Sequence, residues 1–63
     1  MYKTYHIFSN NVDEWTENKT TALLLFMEYL REYTCARLYE ETRDKGNEVV
    51  NEDCVLSIGA YPL

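Results

Sequence analysis

Between Thr16 and Tyr33 the apolar residues Leu23, Phe26, Met27, Leu30 and Tyr33 return at spacings of three and four. That period belongs to one face of an α-helix. The stretch is rich in long-chain helix formers, and it predicts a helix over about Glu17 to Glu32, with the Thr16 hydroxyl capping free N–H groups and Glu17 favoured by the dipole of the first turn. No second segment has this period, so the stripe has no partner helix and must be covered by strands. Leu24, Leu25 and Tyr29 extend the apolar surface around the cylinder, beyond what one sheet face is expected to cover. They are therefore the candidate self-association surface, with a homodimer as the expected outcome.

Strands are available on both sides of the helix. Residues 2–8, YKTYHIF, are β-branched and aromatic. They alternate Tyr2, Thr4, His6 and Phe8 against Lys3, Tyr5 and Ile7, which predicts a strand. Ser9 to Glu14 is polar and reads as a loop, with Asn11 and Glu14 in the form of a capping pair. After the helix, Tyr33 to Thr42 and Glu48 to Ile58 flank Arg43-Asp44-Lys45-Gly46-Asn47. This is the pattern of a hairpin turning at Asp44 to Gly46, with Gly46 expected at positive φ. Pairing Arg43 with Asn47 sets Arg37 opposite Asp53 and Glu41 opposite Val49, whereas a one-residue slip sets Glu41 against Glu48. The first register puts Ala36, Leu38, Cys54, Leu56 and Ile58 on the core face.

The expected fold is therefore α+β, a small two-layer β-α-β-β domain over residues 1–63. One helix packs on a three-stranded sheet that ends in a hairpin, and the crossover is expected to set the first strand parallel to a neighbour. At 63 residues such a domain buries only about 60% of the surface its unfolded chain exposes, so its stability margin is narrow.

Charge and residue supply restrict the function. Eleven Asp and Glu against six Lys and Arg give a formal net charge of -5. This repels phosphate backbones and anionic lipid and argues against direct nucleic-acid or membrane binding. The longest apolar run, Ala22 to Met27, is six residues, against the roughly 20 a bilayer span needs. The stretch MYKTYHIFSNNVDEW lacks an apolar core of signal-peptide length, which leads to an expected cytoplasmic location with Cys35 and Cys54 as free thiols. His6 is the single histidine, and two glycines cannot build a phosphate-cradling or oxyanion loop. His6, Cys35 and Cys54 match no zinc spacing. No catalytic residue, metal or cofactor is expected.

The clustering of carboxylates points elsewhere. Glu40, Glu41, Asp44, Glu48, Glu52 and Asp53 lie within one hairpin, relieved by Arg43 and Lys45. They form the candidate partner-binding surface, an acidic limb suited to a protein with a basic groove. The stretch ARLYEETRDKGNEVVNEDCVLSIG, an acidic hairpin in a chain of this size, resembles the small accessory proteins of phages and mobile elements, including anti-CRISPR inhibitors. That resemblance covers residues 36–59 and is one of composition and size. It implies a stoichiometric, non-enzymatic inhibitor that occupies a nucleic-acid-handling surface of a host protein. The group shares no motif, so the resemblance transfers no residue role by position. The alternative expectation is a homo-oligomeric structural or regulatory protein whose charge serves solubility.

Overall fold

The computed structural model describes residues 1–59. Among them the chain forms β1 (Tyr2–Ser9), β2 (Val12–Thr16), α1 (Lys19–Tyr33), β3 (Ala36–Arg43) and β4 (Val49–Ile58). The fold is α+β in two layers. One helix covers part of a four-stranded sheet ordered β2-β1-β3-β4, with every neighbouring pair antiparallel.

The fourth strand corrects the expectation of three. Val12 to Thr16 pairs with Ser9 to Tyr5, and the chain reverses over Asn10 and Asn11. Asn10 sits at φ 49°, a left-handed conformation that Asn tolerates better than most residues. Asn11 and Glu14 therefore belong to a hairpin and not to a helix cap. The crossover expectation changes with it: the helix joins β2 to β3, which run parallel to each other, and β1 lies between them, antiparallel to both.

The helix begins later than expected. Asn18 is its cap, its Oδ1 accepting the Thr21 N–H at 2.9 Å, while Thr16 ends β2 and its Oγ1 accepts the Asn18 N–H at 3.1 Å. At the other end Thr34 turns left-handed at φ 64°, and its N–H reaches the Leu30 carbonyl at 2.9 Å. Glu17 lies outside the helix.

The core is Tyr5, Ile7, Ala22, Phe26, Tyr29, Ala36 and Leu38, with Val12, Leu25, Leu30, Tyr33 and Leu56 packed against it. Placing β2 beside β1 widens the sheet toward Leu25 and Tyr29, and the helix is rolled that way. Tyr29 is buried and Leu25 half-buried, so the surface assigned to self-association is largely core, and of its three residues Leu24 stays exposed at 62%. Leu23 and Met27, expected inside, are exposed at 37% and 60%.

The β3–β4 register also differs. Leu38 faces Leu56, Tyr39 faces Cys54, Glu41 faces Glu52 and Arg43 faces Val49, with irregularities between Leu38 and Tyr39 and between Thr42 and Arg43. Each skips a residue of β4, Val55 and Val50, and a bulge reverses the alternation of faces beyond it. Cys54 is thereby exposed, on the sheet face opposite the helix, and Ile58 is half-exposed at 48%. In the turn the left-handed residue is Asn47, at φ 65°, not Gly46. The Asn47 N–H bonds the Asp44 carbonyl at 3.1 Å and the Asp44 N–H the Glu48 carbonyl at 3.0 Å. The turn is thus of the expected kind, shifted by one residue.

Candidate functional site: an acidic hairpin and an open sheet face

Alternation along the strands divides the six hairpin carboxylates between the two sheet faces. Glu40 and Asp53 are opposite one another on the helix side, and Glu41 and Glu52 on the open side. Both pairs set like charges face to face, the arrangement the expected register avoids. The structure offsets each with a cation from β1 or β3. Lys3 Nζ lies 2.9 Å from Glu40 Oε1, and Arg43 Nη2 donates to Glu41 Oε1 at 3.0 Å.

Glu41 is the most enclosed of the set. It is 5% exposed, and its Oε1 accepts from Thr4 Oγ1 at 3.3 Å and Trp15 Nε1 at 3.2 Å as well as from Arg43. Burial works against its charge, but hydrogen bonds from Arg43, Glu52 and Thr4 prevail and hold its carboxyl below the ordinary value. Glu52 is pushed the other way by its hydrogen bond to Glu41, by desolvation and by the Glu41 charge. For Glu40, the Lys3 hydrogen bond outweighs desolvation and lowers the carboxyl.

Asp44 is used within the turn, its Oδ1 accepting the N–H groups of Gly46 at 2.8 Å and Glu48 at 3.1 Å. Of the six expected contact residues, Glu41 is therefore buried in a network, Asp44 is a turn brace and Glu40 is ion-paired. Glu48, Glu52 and Asp53 face solvent. These three lie on or beside β4, one of the two edge strands, with Glu52 and Asp53 on opposite faces of the sheet.

The open face also carries an aromatic array. Trp15, His6 and Tyr39 are cross-strand neighbours on β2, β1 and β3. The His6 and Trp15 rings stack with centroids 3.9 Å apart, and Phe8 stacks on Tyr39 at 5.4 Å. His6 Nε2 lies 3.1 Å from Asp13 Oδ2, with the carboxylate as acceptor. A cavity of about 230 Å³ opens beside this array, lined by His6, Phe8, Asn10, Asn11, Val12 and Asp13. The alternation of Tyr2, Thr4, His6 and Phe8 on one side of β1 is the sequence signal for this surface; Trp15 and Tyr39 join it through the pairing of β2 and β3 with β1.

The buried thiol of Cys35 contacts Ser9 Oγ at 3.4 Å, and Ser9 Oγ donates to the Cys35 carbonyl at 2.5 Å. Cys35 thus braces the junction of helix and sheet. Among the described residues no group of three His, Cys, Asp or Glu is placed to hold a metal ion, and no helix is long and apolar enough to cross a membrane. Compared with known proteins, the chain matches no family model, no curated protein and no solved structure.

Proposed function

We propose that this chain is a non-enzymatic, protein-binding inhibitor of the phage or mobile-element type. It acts in the host cytoplasm by laying an acidic surface on a basic, nucleic-acid-handling protein such as a CRISPR nuclease. One observation carries the reading: Glu48, Glu52 and Asp53 all face solvent on or beside the edge strand β4. Exposed carboxylates on both sides of an edge strand give it a negative potential suited to a basic, phosphate-binding groove. The contact is narrower than the hairpin as a whole, because Glu40, Glu41 and Asp44 are engaged within the fold.

The test begins with capture of the partner from the native host. Association is then followed for wild type and for the Glu48→Lys, Glu52→Lys double variant at low and high salt. Electrostatic steering predicts that the variant associates at least about tenfold more slowly at low salt and that the difference shrinks at high salt. Nucleic acid should compete with the wild-type chain for the partner. Rates indifferent to charge reversal and to salt would reject the reading.

A further inference from the structure

The β1–β2 hairpin carries the cavity of about 230 Å³ that His6, Phe8, Asn10, Asn11, Val12 and Asp13 line. Phe8 and Asp13 are register partners across the two strands, and His6 lies two positions along β1, so all three belong to the open face of the sheet. Asn10, left-handed at φ 49°, and Asn11 make the turn and also line the space. The volume is below the roughly 300–1,000 Å³ of sites for drug-sized ligands. One side chain of a partner fits it better than a cofactor does.

Asp13 supplies the charge of this cavity. Its Oδ2 accepts from His6 Nε2 at 3.1 Å, which orients the carboxylate, while its side chain stays 48% exposed. A carboxylate offers two oxygens and about four acceptor sites, so it has capacity for further donors. The His6 ring is held in turn, stacked on Trp15 at 3.9 Å and with Phe8 at 5.0 Å. Among the described residues no Lys or Arg lines the cavity; Arg37 pairs with Phe8 from the β3 side. A chain of formal net charge -5 repels phosphate-bearing ligands, and a carboxylate flanked by rings attracts a cation. The guanidinium group is planar, lies flat on rings and meets a carboxylate with two parallel N–H donors, whereas an ammonium is compact and strongly hydrated. The lining therefore favours arginine over lysine.

We propose that this cavity binds the guanidinium group of an arginine side chain presented by a partner protein. Asp13 accepts its N–H groups, His6 and Phe8 give it ring surface, and the amides of Asn10 and Asn11 add acceptors at the turn. The site lies on β1 and β2, across the sheet from β4, and does not depend on the carboxylates of the inhibitor reading. A basic partner carries the group it takes. With one half-exposed carboxylate as its charge, the site is expected to bind an isolated arginine side chain in the millimolar range and more weakly as salt rises.

The test titrates the full chain with acetyl-arginine methylamide and follows backbone amides by NMR. The citrulline analogue, which keeps the shape of the side chain and removes its charge, and the lysine analogue are run beside it. Arginine should give saturable shifts centred on residues 6–13 and on Trp15, and both analogues should bind at least about fivefold more weakly. Asp13→Asn should weaken arginine binding by a similar factor, with circular dichroism checking the fold. The Glu48→Lys, Glu52→Lys double variant should retain it, so failure of this proposal and failure of the inhibitor reading are separate results. Shifts that do not saturate, that citrulline or lysine reproduces at equal concentration, or that a folded Asp13→Asn retains would overturn the proposal. So would shifts centred on Glu48, Glu52 and Asp53, the mark of general attraction to the acidic edge. The comparison of analogues on the wild type remains decisive if Asp13→Asn fails to fold.

Discussion

Glu41 and Glu52 face each other across β3 and β4 with opposite protonation tendencies: Glu41 is held ionised within a cluster of donors, and Glu52 is biased toward the proton that lets it donate to Glu41. The two carboxylates of this pair therefore hold their charge unequally, Glu41 more firmly than Glu52. Arg43, Thr4 and Trp15 are the donors that surround Glu41.

This asymmetry predicts a pH dependence with two signs. The Glu41 carboxyl is lowered from 4.5, so its contribution is full above that value and is lost as pH falls through the lower, folded value. Glu52 is raised from 4.5; its contribution is full below that value and is lost as pH rises through the folded one. Glu52→Gln keeps a donor toward Glu41 without a proton to lose. It should therefore flatten the decline in stability on the neutral side, as measured by urea unfolding from pH 4 to pH 7, and leave the acid limb in place.

Breaking the Glu41 network should be more damaging than its surface position on an open sheet suggests. Arg43→Ala leaves a nearly buried carboxylate with weaker compensation and should cost about 2 kcal/mol or more. Glu41→Gln should cost less than Glu41→Ala, because the amide oxygen still accepts from Trp15 and Thr4. Thermal melts of the three variants, read at a pH where Glu41 is ionised, check the order.

The helix, the β3–β4 hairpin and the two faces of β1 were legible because each has a local cause: a period of three and four, a turn sequence, or strict alternation. β2 was not, because VDEWT has one core-facing anchor, Val12, and its evidence lies in the Asn10-Asn11 reversal and in pairing with β1. That omission propagated. Without β2 the sheet looked too narrow for Leu25 and Tyr29, which then read as surplus. The β3–β4 register failed for a different reason. Like charges repel as bare neighbours, whereas Lys3 and Arg43 accommodate them through contacts that no local pattern of the hairpin contains. The acidic limb was thus visible as composition, but which of its members face solvent depends on tertiary partners.

Two turn positions should respond to substitution in ways the glycine count does not suggest. Asn47 is left-handed at φ 65° and its Oδ1 accepts from the Tyr2 hydroxyl. Asn47→Val should cost at least about 1 kcal/mol, while Gly46→Ala should be nearly neutral, since a Cβ at Gly46 meets Asp44 Oδ1 at 3.4 Å. Gly59 is the stricter glycine. At φ 85° a Cβ there meets the Thr34 carbonyl oxygen at 2.7 Å, so Gly59→Ala should lower the melting temperature more than either turn change.

The roll of the helix toward β2 makes the last prediction. Tyr29 is buried at 9% and Leu24 exposed at 62%, though both belong to the apolar surplus read from the helix pattern. Burial pushes the Tyr29 hydroxyl up, reinforced by the nearby Glu14 charge, as expected for a ring inserted between helix and sheet. Tyr29→Ala should therefore cost about 3 kcal/mol or more, comparable with Phe26→Ala, through the lost transfer energy and the cavity left behind. Leu24→Ala should fall within about 0.5 kcal/mol of wild type when unfolding is measured on the monomer, because little apolar contact is removed. Equal losses at the two positions would mean that the helix presents its original stripe to the sheet, and the widening of the sheet by β2 would lose its explanatory role.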